Sequence, residues 1–144
     1  MPCLSHTLPD MLLAGPRLEV LIGVSEPTHQ AIRETGQEPP EPVRAWALID
    51  TGASTTVIAA SLVPRLGLFP SGSKNILTPS CTGHEAITYD ISLYFPSHNM
   101  PFPQVCVIAA PLDGQGISCL IGRDILSRGL LVYEGYANRF ILSF

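Results

Sequence analysis

The stretch ALIDTGAS, residues 47–54, places one carboxylate between an apolar run and a glycine turn. Residues 43–49 have the composition of a buried strand, so Asp50 stands where that strand is expected to end. Gly52 allows the backbone to turn sharply, and Thr51 offers a hydroxyl that can hold the turn. A carboxylate beside apolar walls is suited to acid–base chemistry. Because Asp and Gly are also common turn formers, this tripeptide alone leaves a plain β-turn open.

The overall composition is that of one globular domain. The chain has 144 residues, of which 46% are hydrophobic and 14% charged, enough for one core but not for two ordinary ones. The formal net charge is -4 with no cluster of Lys and Arg, which argues against nucleic acid and anionic membranes as partners. No apolar run approaches the roughly 18 residues of a membrane span, so we expect a cytoplasmic protein.

Cysteine and histidine do not form a metal-binding pattern. The four cysteines and four histidines show neither a CxxC pair nor ligand spacing, so the sequence predicts no metal site and no cofactor. Cys106 and Cys119 lie within apolar runs, which predicts that both thiols are buried.

Proline and glycine punctuation favours an all-β fold. The 14 prolines and 12 glycines break the chain into short segments, which disfavours long helices. The pattern predicts about eight strands and one or two short helices in a closed, barrel-like architecture. We expect residues 1–17 to be a loose N-terminal segment and residues 18–144 to form a single domain. Within that domain, the polar and proline-rich residues 25–42 are predicted to be an exposed loop insertion.

Three further segments lie between Asp50 and the C-terminal strands. Residues 57–68 carry apolar side chains at helical spacing, which predicts a short helix. Residues 69–75 are rich in turn formers. Residues 76–91 are typical of a hairpin, since their second half alternates apolar and polar side chains, and Gly83 is the expected tip.

A second stretch, LIGRDIL at residues 120–126, favours a functional role for the first stretch over a plain turn. Two apolar residues and Gly122 end a strand, and Arg123 and Asp124 open a short helical turn; Gly122 lies 72 residues after Asp50. In this order and near this separation, the two stretches resemble the paired motifs of the retropepsin-like aspartic peptidases. That family comprises the retroviral proteases and their cellular and bacterial relatives. The resemblance covers roughly residues 18–144 and implies a barrel-like retropepsin fold that is active as a homodimer.

The resemblance implies roles for the motif residues. Asp50 corresponds to the catalytic aspartate, and Thr51 to the hydroxyl that hydrogen-bonds across to the other subunit. Gly52 corresponds to the residue whose carbonyl meets the substrate backbone. Gly122 would pack behind the active-site loop, and Arg123 would tie the helical turn to that loop.

The resemblance also implies a flap, the hairpin that such proteins carry between the two motifs. It assigns the flap to residues 76–91, with a solvated hairpin end as the simpler alternative for its tip. Many retroviral relatives have an Asp after DTGA that pairs with the motif Arg; Ser54 occupies that position here, so Arg123 lacks this partner. The implied substrate-binding residues are Ala53, Ser54, Thr82, Gly83 and His84.

One aspartate is not enough for a peptidase of this kind, and the chain has a single DTG. Asp124 is the only rival, but it follows an Arg at a helix start, where a stabilising role near the helix N-terminus fits better. We therefore expect the second carboxylate from a second copy of the chain in a C₂ homodimer. The apolar residues 139–144 would then either interleave with the partner subunit or pair within the chain.

Three functions remain open from the sequence. The leading one is an aspartic endopeptidase that cuts extended peptide or protein substrates as a homodimer. The second is a non-catalytic retropepsin-like module for dimerisation or peptide binding. The third takes the DTG as an ordinary turn in an unrelated β-barrel.

Overall fold

The computed structural model describes residues 3–78 and 81–144. These residues form ten β-strands, four short α-helices and two 3₁₀ turns at Pro96–His98 and Gly135–Ala137. The strands are β1 (Cys3–Thr7), β2 (Arg17–Val24), β3 (Val43–Ile49), β4 (Val57–Ala59), β5 (Pro70–Thr78), β6 (Cys81–Phe95), β7 (Met100–Ala110), β8 (Cys119–Ile121), β9 (Leu130–Glu134) and β10 (Arg139–Ser143). The helices are α1 (Met11–Ala14), α2 (Glu26–Glu34), α3 (Leu62–Arg65) and α4 (Arg123–Leu126).

Six strands close into a barrel, which confirms the predicted all-β, barrel-like fold. Their order is β2-β3-β8-β4-β7-β6, and β6 pairs back with β2 to complete the circle. β5 pairs only with β6 and forms a hairpin at the edge of this sheet. Two neighbouring pairs are parallel, β3 with β8 and β4 with β7, whereas the other pairings are antiparallel.

The core lies inside the barrel because alternate strand residues point inward. Leu18, Val20 and Ile22 of β2 are all buried, and each such side chain stabilises the fold by about 1.5–3 kcal/mol. At one end of the barrel Phe144 lies 5.3 Å from both Phe95 and Phe102, measured between ring centroids. These aromatic contacts attach the C-terminal residues to the barrel wall.

The second sheet has the order β1-β10-β9, so residues 3–7 form a paired strand within the segment that was expected to be loose over 1–17. β1 pairs antiparallel with β10, and the His6 ring stacks on Phe140 with centroids 4.8 Å apart. Since β10 has both edges paired inside the chain, the intramolecular reading of residues 139–144 is the one observed. Phe140 and Leu142 of this strand are buried, and pairing both of its edges leaves no apolar strand edge exposed.

The segment over residues 25–42 is exposed, but it contains helix α2 and is not simply a loop. The Ser25 hydroxyl accepts a hydrogen bond from the Thr28 N–H at 3.4 Å, and Pro27 occupies the first turn. Both are helix-start signals that the high polar and proline content of the segment concealed.

Residues 57–68 also differ from expectation. Val57–Ala59 form strand β4, fully buried between β7 and β8, and only Leu62–Arg65 are helical. A short buried strand is apolar on both faces, so its pattern can be mistaken for part of a helical one.

The hairpin is longer than the predicted 76–91, because β5 already begins at Pro70 and includes most of the predicted turn at 69–75. Gly83 is not its tip, since the last pair of the two strands is Thr78 with Cys81. Gly83 has a φ of +78° and lies beside a register shift between Ile76 and Thr78. A bulge of this kind requires the left-handed conformation that glycine adopts without strain.

One of the two cysteines predicted to be buried is exposed. Cys119 is buried as predicted, but Cys106 is exposed because it occupies an outward position of β7. Over the described ranges, no helix has the length and apolarity needed to cross a membrane.

Candidate active site

The two sequence motifs meet at the ends of two parallel strands. β3 and β8 run side by side, with Ile49 opposite Ile121, and the Asp50 N–H donates to the Ile121 carbonyl at 3.0 Å. Because parallel strands end at the same edge, Asp50 and Gly122 leave the barrel next to each other. The barrel thus brings together two loops that lie 72 residues apart in the chain.

Asp50 is held by its own turn. The Gly52 N–H donates to Asp50 Oδ1 at 2.9 Å, and the Ala53 N–H donates to the Asp50 carbonyl at 3.2 Å. A Cβ added at Gly52 would lie 3.1 Å from Asp50 Oδ1, which leaves little room for a side chain. The Asp50 carboxylate is therefore oriented by the backbone while it stays partly exposed to solvent.

Gly122 packs against the strand entry that follows the DTG loop. A Cβ at Gly122 would meet the Thr55 carbonyl carbon at 2.7 Å and the Thr56 nitrogen at 2.9 Å. The Gly122 N–H also donates to Thr56 Oγ1 at 3.1 Å. Only a residue without a side chain permits this approach.

Asp124 is committed to a structural network. Its carboxylate accepts from the Thr56 N–H at 2.8 Å, from the Thr56 hydroxyl at 2.7 Å and from the Ile125 N–H at 2.9 Å. Thr56 is completely buried, so this carboxylate satisfies polar groups that water cannot reach. The Asp124 carboxylate therefore holds the second motif against the segment that follows the DTG loop.

The charge of Asp124 also affects the neighbouring thiol. Burial, and after it the negative charge of Asp124, raises the pKa of the Cys119 thiol far above its usual range. Cys119 therefore remains a neutral thiol and serves as a core residue.

Arg123 finds a partner other than a carboxylate. Its Nη1 donates to the Thr51 carbonyl at 2.7 Å, and its backbone N–H donates to the Ala53 carbonyl at 2.9 Å. Both bonds connect the start of α4 to the DTG loop. With Ser54 in place of an Asp, the guanidinium stabilises the loop through its backbone.

A cleft of about 460 Å³ lies between the DTG loop and the hairpin. Of the residues predicted to bind substrate, Ala53 and Ser54 line this cleft, whereas Gly83 and His84 do not. His84 instead lines a separate groove of about 360 Å³ on the hairpin, and the Thr82 side chain lies outside the described residues. The full lining of the cleft is Gly52, Ala53, Ser54, Thr55, Val57, Asn75, Ile76, Leu77, Ile108 and Arg123.

A family model described as retroviral aspartyl protease matches residues 14–131, which include both motifs. The chain belongs to the retroviral aspartyl protease family. A crystal structure of a retropepsin-like aspartic protease from Rickettsia conorii is 17% identical, covers 90% of this chain and 92% of its own, and superposes with a TM-score of 0.50. A search of curated proteins found no match. The structural likeness supports the retropepsin-like fold.

Membership in the retroviral aspartyl protease family removes one of the three readings. The DTG is not a chance turn in an unrelated barrel, because the match extends over most of the barrel and both motifs. The aspartic endopeptidase and the non-catalytic family member remain.

Two residues of the site were missed from the sequence. Thr56 binds Asp124, and the pairing of a Thr in one motif with an Asp in the other could have been suspected once the motifs were placed together. Lys74 of β5 donates to Thr55 Oγ1 at 2.7 Å and links the hairpin to the floor of the cleft. No sequence signal indicates the second contact, since it depends on how the hairpin folds over the loop.

Proposed function

We propose that the chain is an aspartic endopeptidase that acts as a homodimer, with one Asp50 from each copy. The observation that carries the proposal is the difference between the two motif aspartates. Asp124 accepts three hydrogen bonds from buried neighbours, whereas Asp50 is partly exposed and accepts one, from Gly52, among the described residues. One chain therefore offers one open carboxylate at this site.

The face beside Asp50 supports a second copy as the source of the other carboxylate. A groove of about 290 Å³ starts at Thr51 and Arg123 and continues over Leu126 and Leu131. The Thr51 side chain is exposed, and its hydroxyl has no hydrogen-bond partner in residues 3–78 and 81–144. A two-fold axis through this face would cover apolar surface and bring the two Asp50 side chains together.

The chemistry follows from two neighbouring carboxylates. Two such groups about 3 Å apart cannot both ionise, so they share one proton and titrate as a pair. The ionised member takes a proton from a water, whose oxygen attacks the scissile carbonyl carbon, while the protonated member donates to the carbonyl oxygen. The tetrahedral intermediate then loses its C–N bond as the amine nitrogen accepts a proton from the pair. One water is consumed, and a carboxyl and an amine are released.

The cleft supports an extended peptide as the substrate. β5 is an edge strand of its sheet, so its outer backbone groups are available to pair with an added strand. Val57, Ile76, Leu77 and Ile108 supply apolar walls. We therefore expect apolar side chains in most positions near the cut.

The test is cleavage of a complex peptide library from about pH 3 to 7 by the parent and by Asp50→Asn, with cuts mapped by mass spectrometry. We expect cuts that are strongest at acid pH and missing from the variant. Asp113→Asn is the matched control, because Asp113 is exposed and does not line the cleft. No cuts by the folded, dimeric parent would favour the non-catalytic reading, and cuts that persist in Asp50→Asn would refute the mechanism.

A further inference from the structure

Lys74 is the only lysine of the chain, and its exposed side chain donates to a residue that lines the cleft. It lies on β5 opposite Ala86, and its Nζ is 2.7 Å from Thr55 Oγ1. Three residues that follow Lys74 on the same strand, Asn75, Ile76 and Leu77, line the cleft, and Lys74 itself lies beside this lining. Thr55 lines the cleft as well and is only 4% exposed.

No carboxylate compensates this ammonium among the described residues. The salt bridges there join Arg44 to Glu19 and Arg139 to Glu134, and Lys74 takes part in neither. Glu85 is the nearest acid along the hairpin in register, but it accepts from the Ser73 hydroxyl at 2.5 Å.

Side-chain alternation keeps this acid apart from the Lys74 ammonium, since the side chains of residues 73 and 75 lie on the opposite face of the strand from that of residue 74. The cleft lining holds one cation, Arg123, whose Nη1 is bound to the Thr51 carbonyl. The lining contains no Asp or Glu in the described part of the chain. The Lys74 ammonium therefore lies at the edge of the cleft with a neutral hydroxyl as its acceptor.

We propose that Lys74 and Thr55 form an acid-binding position, which selects substrates with Asp or Glu at the residue lying over Thr55. The inference rests on the proposed endopeptidase function and specifies its substrate class. An ammonium has three N–H donors, of which Thr55 uses one. Because the Thr55 oxygen accepts from Lys74, its own hydrogen is left to donate to the same carboxylate. Hydrogen bonds from an ammonium to a carboxylate are about twice as strong as those between neutral groups.

The alternative is that Lys74 only fastens the hairpin to the floor. A fastening role would make substitutions of Lys74 slow the cleavage of all peptides equally. An acid-binding role changes the ratio between peptides, and charge reversal inverts it. The two roles are therefore separated by specificity and not by overall rate.

The experiment is run at about pH 6, where a Glu side chain is ionised. It uses fluorogenic peptides built on one cut sequence, with Glu, Gln or Lys placed at each position in turn. At one position we expect kcat/KM to be about 10-fold higher for Glu than for Gln. Lys74→Met should abolish this ratio, and Lys74→Glu should favour the Lys peptide instead. Arg33→Glu is the matched control, because it makes the same change in net charge on exposed helix α2 and should keep the parent ratio.

The outcomes separate this inference from the proposed function. Cleavage without a Glu preference, or a preference that Lys74→Glu leaves unchanged, overturns the acid-binding position and leaves the endopeptidase standing. If no peptide is cut, the endopeptidase fails, and fluorescence anisotropy with the same peptides decides the role of Lys74. A binding preference for Glu that Lys74→Glu inverts supports the acid-binding position, and equal binding refutes it.

Discussion

Replacing the partly buried Asp124 by Ala should destabilise the protein more than replacing any exposed acid. The substitution removes the acceptor of the Thr56 N–H and of the Thr56 hydroxyl, both on a completely buried residue. The Ile125 N–H keeps one acceptor, because it also donates to the Gly122 carbonyl at 3.2 Å. Two buried donors are thus left without their charged partner.

The size of the effect follows from those two donors. Hydrogen bonds to charged groups contribute about 1.5–3 kcal/mol each, and partial access of water to the new cavity offsets some of the loss. We expect the free energy of unfolding to fall by about 3 kcal/mol, which corresponds to a drop in Tm of roughly 10 °C at this chain length. Asp124→Asn keeps one oxygen acceptor in place and should lose only about 1 kcal/mol.

The assay is urea unfolding followed by circular dichroism, at one fixed protein concentration because the proposed dimer would add to apparent stability. A double-mutant cycle with Thr56→Val isolates the side-chain bond, and we expect a coupling energy of about 1–2 kcal/mol. A loss below about 1 kcal/mol for Asp124→Ala, or additive effects of the two substitutions, would refute the structural role of this network.

Three further predictions concern other parts of the fold. Gly122→Ala should cost about 2–3 kcal/mol and abolish peptide cleavage, since its Cβ would lie within 3 Å of neighbouring backbone; urea unfolding and cleavage rates check this. Burial lowers the pKa of His6 and His98 below 6.5, and for His6 the nearby His98 lowers it further. Below about pH 6.5 the unfolded chain therefore binds more protons than the folded chain. The stability that the two neutral histidines contribute is complete above about pH 6.5 and is lost as the pH falls through their folded-state pKa values. The Tm difference between pH 7.5 and 5 should therefore shrink in His6→Leu. Finally, a thiol reagent followed by peptide mapping should label Cys106 but leave Cys119 unlabelled until the protein unfolds. An unchanged Tm between the two pH values, or early labelling of Cys119, would contradict the corresponding prediction.

The motifs and the barrel were accessible from the sequence because their signals are local. Asp50 follows an apolar strand directly, and Gly122 follows another, so each strand end could be found within a few residues. The spacing of turn residues was enough to predict many short strands and a closed sheet. What the local pattern could not supply was the parallel pairing that places the two motifs side by side.

The predictions that were wrong depend on strand pairings between segments that lie far apart in the chain. β1 is held by β10, its partner far along the chain, and nothing within residues 3–7 indicates that partner. The hairpin register depends on a bulge beside Gly83, and a shift of one residue moves every side chain to the other face. The contact of Lys74 with Thr55 follows from that register and could not be predicted before it was known.

The proposed mechanism requires two Asp50 carboxylates at each active site, one from each of two copies of the chain. Parent and Asp50→Asn chains can be mixed in equal amounts, unfolded and refolded together, and assayed at constant total concentration. If both carboxylates are needed, only dimers of two parent chains cut peptide, and the activity should be about a quarter of that of the parent alone. Activity at about half, falling in proportion to the parent fraction, would show that one chain works alone and would contradict the claim.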